Sequence, residues 1–266
     1  MPMTQRLIHL SDLHFGREDL AAVEGLHRKI QALAPDRIII SGDLTQRARR
    51  LEFQAARAFL DALPCPWFAV PGNHDIPLYN VMQRLANPSH AYRRWISTNL
   101  HPVWIHGEIA IFGVNTVLPW RVQQGGLTSS QLQQLLSDLR HHHRYLRLIV
   151  SHHPLGMPIQ RHHPDCVDSH ILENLLHHGA DIFLSGHLHQ STLTQTIGNH
   201  HGRRGVLVHA GSAVSERLRG ENNAFNVLDC QRDHVHVTTW EWQMDEFTRQ
   251  AEHEYLRCKH NGWRET

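Results

Sequence analysis

Five short apolar runs in this chain each stop within a few residues of a side chain able to bind a cation. Arg6-Leu7-Ile8-His9-Leu10 runs into Asp12-Leu13-His14. Arg37-Ile38-Ile39-Ile40 runs into Gly42-Asp43, and Trp67-Phe68-Ala69-Val70 into Gly72-Asn73-His74-Asp75. Later, the run ending at Val150 meets Ser151-His152-His153-Pro154, and the run ending at Leu184 meets Gly186-His187-Leu188-His189. Runs this short and apolar read as buried strands. Residues 18–33 and 48–63 between them carry helical spacing, the first ended by Pro35. A β-α-β-α-β opening predicts parallel strands joined by right-handed crossovers. Loops at the carboxyl ends of parallel strands share one rim, so the five polar segments can converge on one site.

Further strands are expected near 109–115, 146–151 and 182–184. Then comes a run without helices, at about 192–197, 205–209, 224–229 and 234–240. Mixed parallel and antiparallel content predicts an α/β fold, a four-layer α-β-β-α sandwich of two mixed β-sheets with the site at strand ends. One domain is expected over 1–244, with inserts at 75–105 and 155–168, followed by a polar, helical tail over 245–266.

Composition narrows the function. Lys+Arg number 26 against 25 Asp+Glu, a net charge of +1, which gives no global field for holding nucleic acid, so no stable nucleic-acid partner is expected. The four cysteines lie far apart, without the spacing of a thiolate zinc site or disulfide framework. With no apolar signal segment and no stretch of 18 apolar residues, the expected location is cytoplasmic. The 26 histidines, many in doublets such as His162-His163 and the triplet His141-His142-His143, read mostly as surface.

The strand-end residues comprise carboxylates, one amide and several imidazoles. Oxygen and nitrogen donors without thiolate suit Mn²⁺, Fe²⁺/Fe³⁺ or Zn²⁺. Two cations close together need a bridging ligand, which a carboxylate supplies readily; Asp43, alone after its strand, is the natural candidate. Singly, Asp12 and Asp43 could be helix caps and Asn73 a turn residue. Five such blocks together make that reading improbable.

The ordered pattern Asp-x-His, Gly-Asp, Gly-Asn-His-Asp, His, Gly-His-x-His resembles the calcineurin-like metallophosphoesterases, most closely their bacterial cyclic-nucleotide phosphodiesterase branch. The resemblance implies two divalent metal ions. Asp12, His14, Asp43 and His189 would hold one, and Asp43, Asn73, His152 and His187 the other. It assigns His152 rather than His153 as ligand, and gives His74 the scissile phosphate and leaving oxygen. Asp75 is a second catalytic candidate, expected to set the His74 tautomer or support the ligand loop.

The expected partner is a small phosphate ester such as a cyclic nucleotide. The runner-up is a lipid-linked pyrophosphate of the UDP-diacylglucosamine type, which would bring the protein to a membrane surface. A repair-type nuclease and a non-catalytic scaffold fit less well, the first for want of basic charge and the second because His74 is intact. Arg17, Arg161 and Arg217 are substrate-binding candidates, with Arg219 beside the last. Leu78, Val81, Met82 and Leu85 follow helical spacing, as do Tyr92, Trp95 and Ile96. Such stripes read as core-packing faces, the alternative being an apolar cap over the metals.

Overall fold

The computed structural model describes residues 4–155, 167, 169–189, 194–198, 202–216, 220–259 and 261–266. The first strand-helix units follow the sequence pattern: β1 (Gln5–Leu10), α1 (Leu20–Leu33), β2 (Arg37–Ile40), α2 (Arg50–Asp61) and β3 (Trp67–Ala69). Asp19 caps α1 by accepting from the N–H of Ala21 and Ala22. Ala34 ends it in a left-handed turn before Pro35, which cannot continue a helix. A single 3₁₀ turn, Asn73–Asp75, precedes α3 (Val81–Ala86), α4 (His90–Trp95) and the edge strand β4 (Val103–His106). There follow β5 (Ile109–Val114), α5 (Ser129–His141), β6 (Leu146–Ser151), α6 (Ser169–His177), β7 (Ile182–Ser185), β8 (Thr194–Gly198) and β9 (Arg204–His209). The chain closes with β10 (Ala224–Gln231), β11 (His234–Gln243), β12 (Glu246–Cys258) and β13 (Gly262–Glu265).

Instead of two separate sheets, the strands form one curled mixed sheet in the order β3-β2-β1-β10-β11-β12-β13-β9-β7-β6-β5-β4, with β8 paired to β9. The link that makes it continuous is slight: β13 meets β9 at the single pair Gly262–Arg204. A side chain at Gly262 would collide with the Arg204 backbone, so only glycine allows that approach. Within the curl, β1, β2 and β3 are mutually parallel, as are β5, β6, β7 and β9.

Three apolar clusters hold these parts together. Leu7, Ile39 and Val70 from the first group pack with Ile111, Leu148, Val150 and Leu184 from the second. The outer faces pack against helices, α1 and α2 on the first group and α5 and α6 on the second.

Residues 245–266 are not a helical tail. The described residues there form two strands, β12 and β13, with Phe247, Tyr255 and Trp263 buried. A bulge explains why alternation does not reveal them. Thr239 pairs with Ala251 but Trp240 with Arg249, so Gln250 is extra and the strand changes faces. Phe247 thus enters one core cluster and Tyr255 another.

The two helical stripes of the 75–105 region part company. Tyr92 and Ile96 are buried in the core, whereas Val81, Met82 and Leu85 are exposed and Leu78 is partly so. The expectation of a core face holds for α4 and fails for α3. Here the Arg84 guanidinium, not an apolar face, anchors the helix by donating to the carbonyls of Pro77, Pro119 and Arg121.

Candidate metal centre

The two parallel groups meet at their carboxyl ends, and hydrogen bonds stitch loops from one to loops of the other. The His187 N–H after β7 donates to Asp12 Oδ2 after β1 at 3.0 Å. The Ser41 carbonyl after β2 faces His152 Nδ1 after β6 at 2.9 Å. Nine non-glycine residues among those described have left-handed backbone, and five are Asp12, His14, Asp43, His187 and His189. Such conformations are costly and persist where surroundings impose them, so their concentration here marks a built site. The glycines before the ligand candidates permit close packing: a Cβ at Gly72 would strike the Asp43 carboxylate and backbone.

All eight motif residues expected at the centre come together. Asp12 Oδ1 lies 3.6 Å from His14 Nε2 and 3.7 Å from His189 Nε2. Asp43 Oδ2 lies 3.9 Å from His14 Nε2 and 3.3 Å from His152 Nε2, so one carboxylate oxygen faces both groups of imidazoles. His152 Nε2 is also 3.0 Å from Asn73 Oδ1 and 3.2 Å from His187 Nδ1. Ligand-type atoms of Asp12, His14 and His189 cluster tightly, as do those of Asp12, Asp43 and His152.

The electrostatics suit cations. Burial alone would push the Asp12 and Asp43 carboxyls up, but the surrounding imidazoles hold both well below the usual carboxylate range. Burial would likewise lower His152, yet the Asp43 and Asp12 carboxylates raise it to about 9. Burial and the neighbouring His152 hold His187 down at about 3. Atoms that draw a proton so strongly onto one imidazole would equally draw a metal cation. Asp12 Oδ1 is buried and accepts no hydrogen bond among the described residues, which is costly unless a ligand compensates it. Nitrogen and oxygen donors, that orphaned oxygen and the strained ligand loops all fit a divalent metal pair.

Around the donors sits a ring of supports that sequence reasoning missed. His152 Nδ1–H donates to the Ser41 carbonyl, and His189 Nδ1 is paired with Ser212 Oγ at 2.6 Å, each leaving Nε2 for the centre. His74 Nδ1 donates to the Gln46 carbonyl at 2.7 Å. These partners carry no motif of their own; the only clue is the polar run Thr45-Gln46 inside a buried loop.

Asp75 does not reach the His74 ring. Its buried carboxylate accepts from the N–H groups of Leu44, Thr45 and Gly72 and from the Thr45 hydroxyl, tying two ligand loops together. Burial and the nearby Asp43 push it up to about 6. Of the two roles expected of Asp75, these contacts match support of the ligand loops, while the His74 Nδ1 faces the Gln46 carbonyl. His153 is fully buried, its Nδ1 2.8 Å from Thr116 Oγ1 and its ring 4.5 Å from that of His187.

Beside the centre opens a cavity of about 710 Å³ whose lining includes Asn73, His74, Gln46, Arg17, Arg47 and Arg49. Arg17 is thus at the site, whereas Arg161, Arg217 and Arg219 lie outside the described residues. No helix among the described residues is long and apolar enough to cross a membrane.

The chain belongs to the calcineurin-like phosphoesterase family, whose pattern it matches over residues 5–191. It is a metal-dependent phosphoric ester hydrolase by that membership. It is 26% identical over 208 residues to a probable cyclic nucleotide phosphodiesterase of Synechococcus sp., covering 71% of this chain and 75% of that one. A shorter likeness, 34% over 77 residues, links 28% of this chain to 23% of the UDP-2,3-diacylglucosamine pyrophosphatase LpxG of Chlamydia muridarum. The fold is shared with purple acid phosphatase PPD1 of yellow lupin, with a TM-score of 0.66 at 15% identity, covering 94% of this chain and 53% of that one.

Proposed function

We propose that the rim is a two-cation phosphodiesterase centre acting on a small soluble ester such as a cyclic nucleotide. The observation that carries the reading is the position of Asp43, one oxygen of which faces both His14 and His152. In this assignment Asp12, His14, Asp43 and His189 hold one cation, and Asp43, Asn73, His152 and His187 the other. Mn²⁺, Fe²⁺/Fe³⁺ or Zn²⁺ in these positions would acidify a water nucleophile and offset negative charge on the phosphoryl oxygens. The chain's own residues do the rest. His74, fixed through Nδ1 by Gln46, presents its other ring nitrogen to the departing oxygen and protonates it. Asp75 keeps the loops carrying Asp43 and Asn73 in register. Arg17, at the cavity wall, is placed to meet anionic substrate oxygens. The shared core between the two parallel groups and the helices outside each support reading the curled sheet as a four-layer α-β-β-α arrangement.

One observation favours the lipid-linked pyrophosphate as a second reading. Val81, Met82, Leu85 and Trp120 are exposed, and Leu78 and Val122 line the cavity. The deciding experiment is a metal-reconstituted screen of phosphomonoesters, cyclic and linear diesters, and pyrophosphates, with and without detergent. Turnover of diesters without detergent is the expected result. Activity confined to acylated pyrophosphates in detergent would replace the first reading with the second.

A further inference from the structure

The loop that holds His74 also presents a guanidinium with no role so far. Gln46 fixes the His74 ring through its carbonyl, and the next residue, Arg47, lines the same cavity. Backbone contacts fix the course of this loop. Ala48 has left-handed backbone, φ 54°, and the buried Glu52 carboxylate accepts from the N–H groups of both Arg47 and Arg49, at 2.7 and 3.1 Å. The Arg47 side chain is held as well. Its guanidinium lies over the Tyr79 ring, 5.4 Å from the centroid, and donates to the Tyr79 hydroxyl at 3.0 Å. Among the described residues Arg47 forms no ion pair with a carboxylate, although Glu52 lies near and pairs with Arg49. A planar cation steadied by an aromatic ring and its hydroxyl can present a face to a second planar group.

We propose that Arg47, backed by Tyr79, is a platform on which a nucleobase of the substrate stacks. This rests on the diesterase reading and extends it to a nucleoside ester. The base would sit on the leaving-group side, because the loop that fixes the leaving-group acid is the one that carries the platform. Arg guanidinium planes are established stacking surfaces for bases. The cavity, at about 710 Å³, has room for a nucleotide.

The test is calorimetric titration of the metal-loaded protein with AMP and with ribose 5-phosphate, which differ by the base alone. The wild type should bind AMP about tenfold more tightly, the worth of one modest base stack. Arg47→Lys keeps the charge but loses the plane, and should bring the two affinities together while leaving that for ribose 5-phosphate within about twofold. Tyr79→Ala, at an exposed position, should shrink the preference and Tyr79→Phe should keep most of it. No preference for AMP in the wild type, or a preference that survives Arg47→Lys, overturns the platform. So does an equal weakening of both ligands in Arg47→Lys, which would make Arg47 a phosphate clamp. AMP preference without turnover of any phosphodiester, cyclic or linear, would remove the diesterase reading and leave the platform standing.

Discussion

Strands β6 and β7 carry a buried polar cluster at each end, and the two are built on opposite terms. At the amino-terminal end Asp181, fully buried, is met by Arg203 at 3.0 Å, Arg257 at 2.9 Å, the Arg147 N–H at 3.0 Å and Trp263 Nε1 at 3.2 Å. Both oxygens are satisfied by cations or N–H donors of the chain itself, and the arginines come from β6, β12 and the loop before β9. At the carboxyl-terminal end Asp12 and Asp43 face imidazoles instead of arginines, one oxygen accepts no hydrogen bond among the described residues, and five residues hold left-handed backbone. A carboxylate answered by the fold's own cations serves the fold. One left under-answered in a strained loop is what the proposed metal centre requires.

Asp43→Asn should break that contrast most completely. Turnover should fall to background and bound metal to one equivalent or less by elemental analysis, while the fold persists. Two tightly held metals with near-normal rates would remove the bridging assignment.

His74→Ala separates the cation cluster from the group beside it. Both metals should remain, and the rate on an alkyl or nucleoside ester should fall about 10²–10⁴-fold, the usual worth of general acid catalysis. On a nitrophenyl ester, whose leaving group barely needs a proton, the loss should be clearly smaller. Equal losses on both would leave His74 a positioning group.

Asp181→Ala attacks the opposite end of the strands. Removing the carboxylate that three arginines share should cost about 3 kcal/mol of stability, a fall in Tm of roughly 10 °C for a chain this size. The metal content of the folded protein should not change. Loss of metal at unchanged Tm would erase the distinction between the two ends.

The two ends were also unequally legible. The ligand end could be read because each donor type follows a strand-like run, and a strand's carboxyl end has one place to go. The Asp181 end could not, since Arg147, Arg203, Arg257 and Trp263 come from four separate strands or loops and no spacing connects them. The fold divides the same way. Strands β1 to β3 were plain as apolar runs, while β12 was hidden by its bulge and by charges on its exposed side. Leu78, Val81, Met82 and Leu85 had the spacing of a packed face, but spacing records only that they share a side of α3, not whether anything covers it. Among the supports of the centre, Gln46 and Ser41 act through backbone carbonyls, which no side-chain pattern records.

Ser212 is the mildest test, because it touches a donor without being one. Its hydroxyl is 2.6 Å from His189 Nδ1, fixing the ring so that Nε2 turns toward Asp12. Ser212 is buried, and Ala removes the oxygen with little change in volume, so the global fold should hold. What changes is the freedom of the imidazole to turn and take the other tautomer. Supports of this kind are typically worth 10–100-fold in metal affinity. Ser212→Ala should therefore lose one metal at a chelator concentration that strips neither from the wild type, and regain full turnover when that metal is supplied in excess. Ser212→Thr, which keeps the hydroxyl, should rescue most of the affinity. If Ser212→Ala titrates with chelator like the wild type, His189 is held by its strained backbone, φ 56°, without help from the hydroxyl. If excess metal fails to restore the rate, the hydroxyl does more than orient His189.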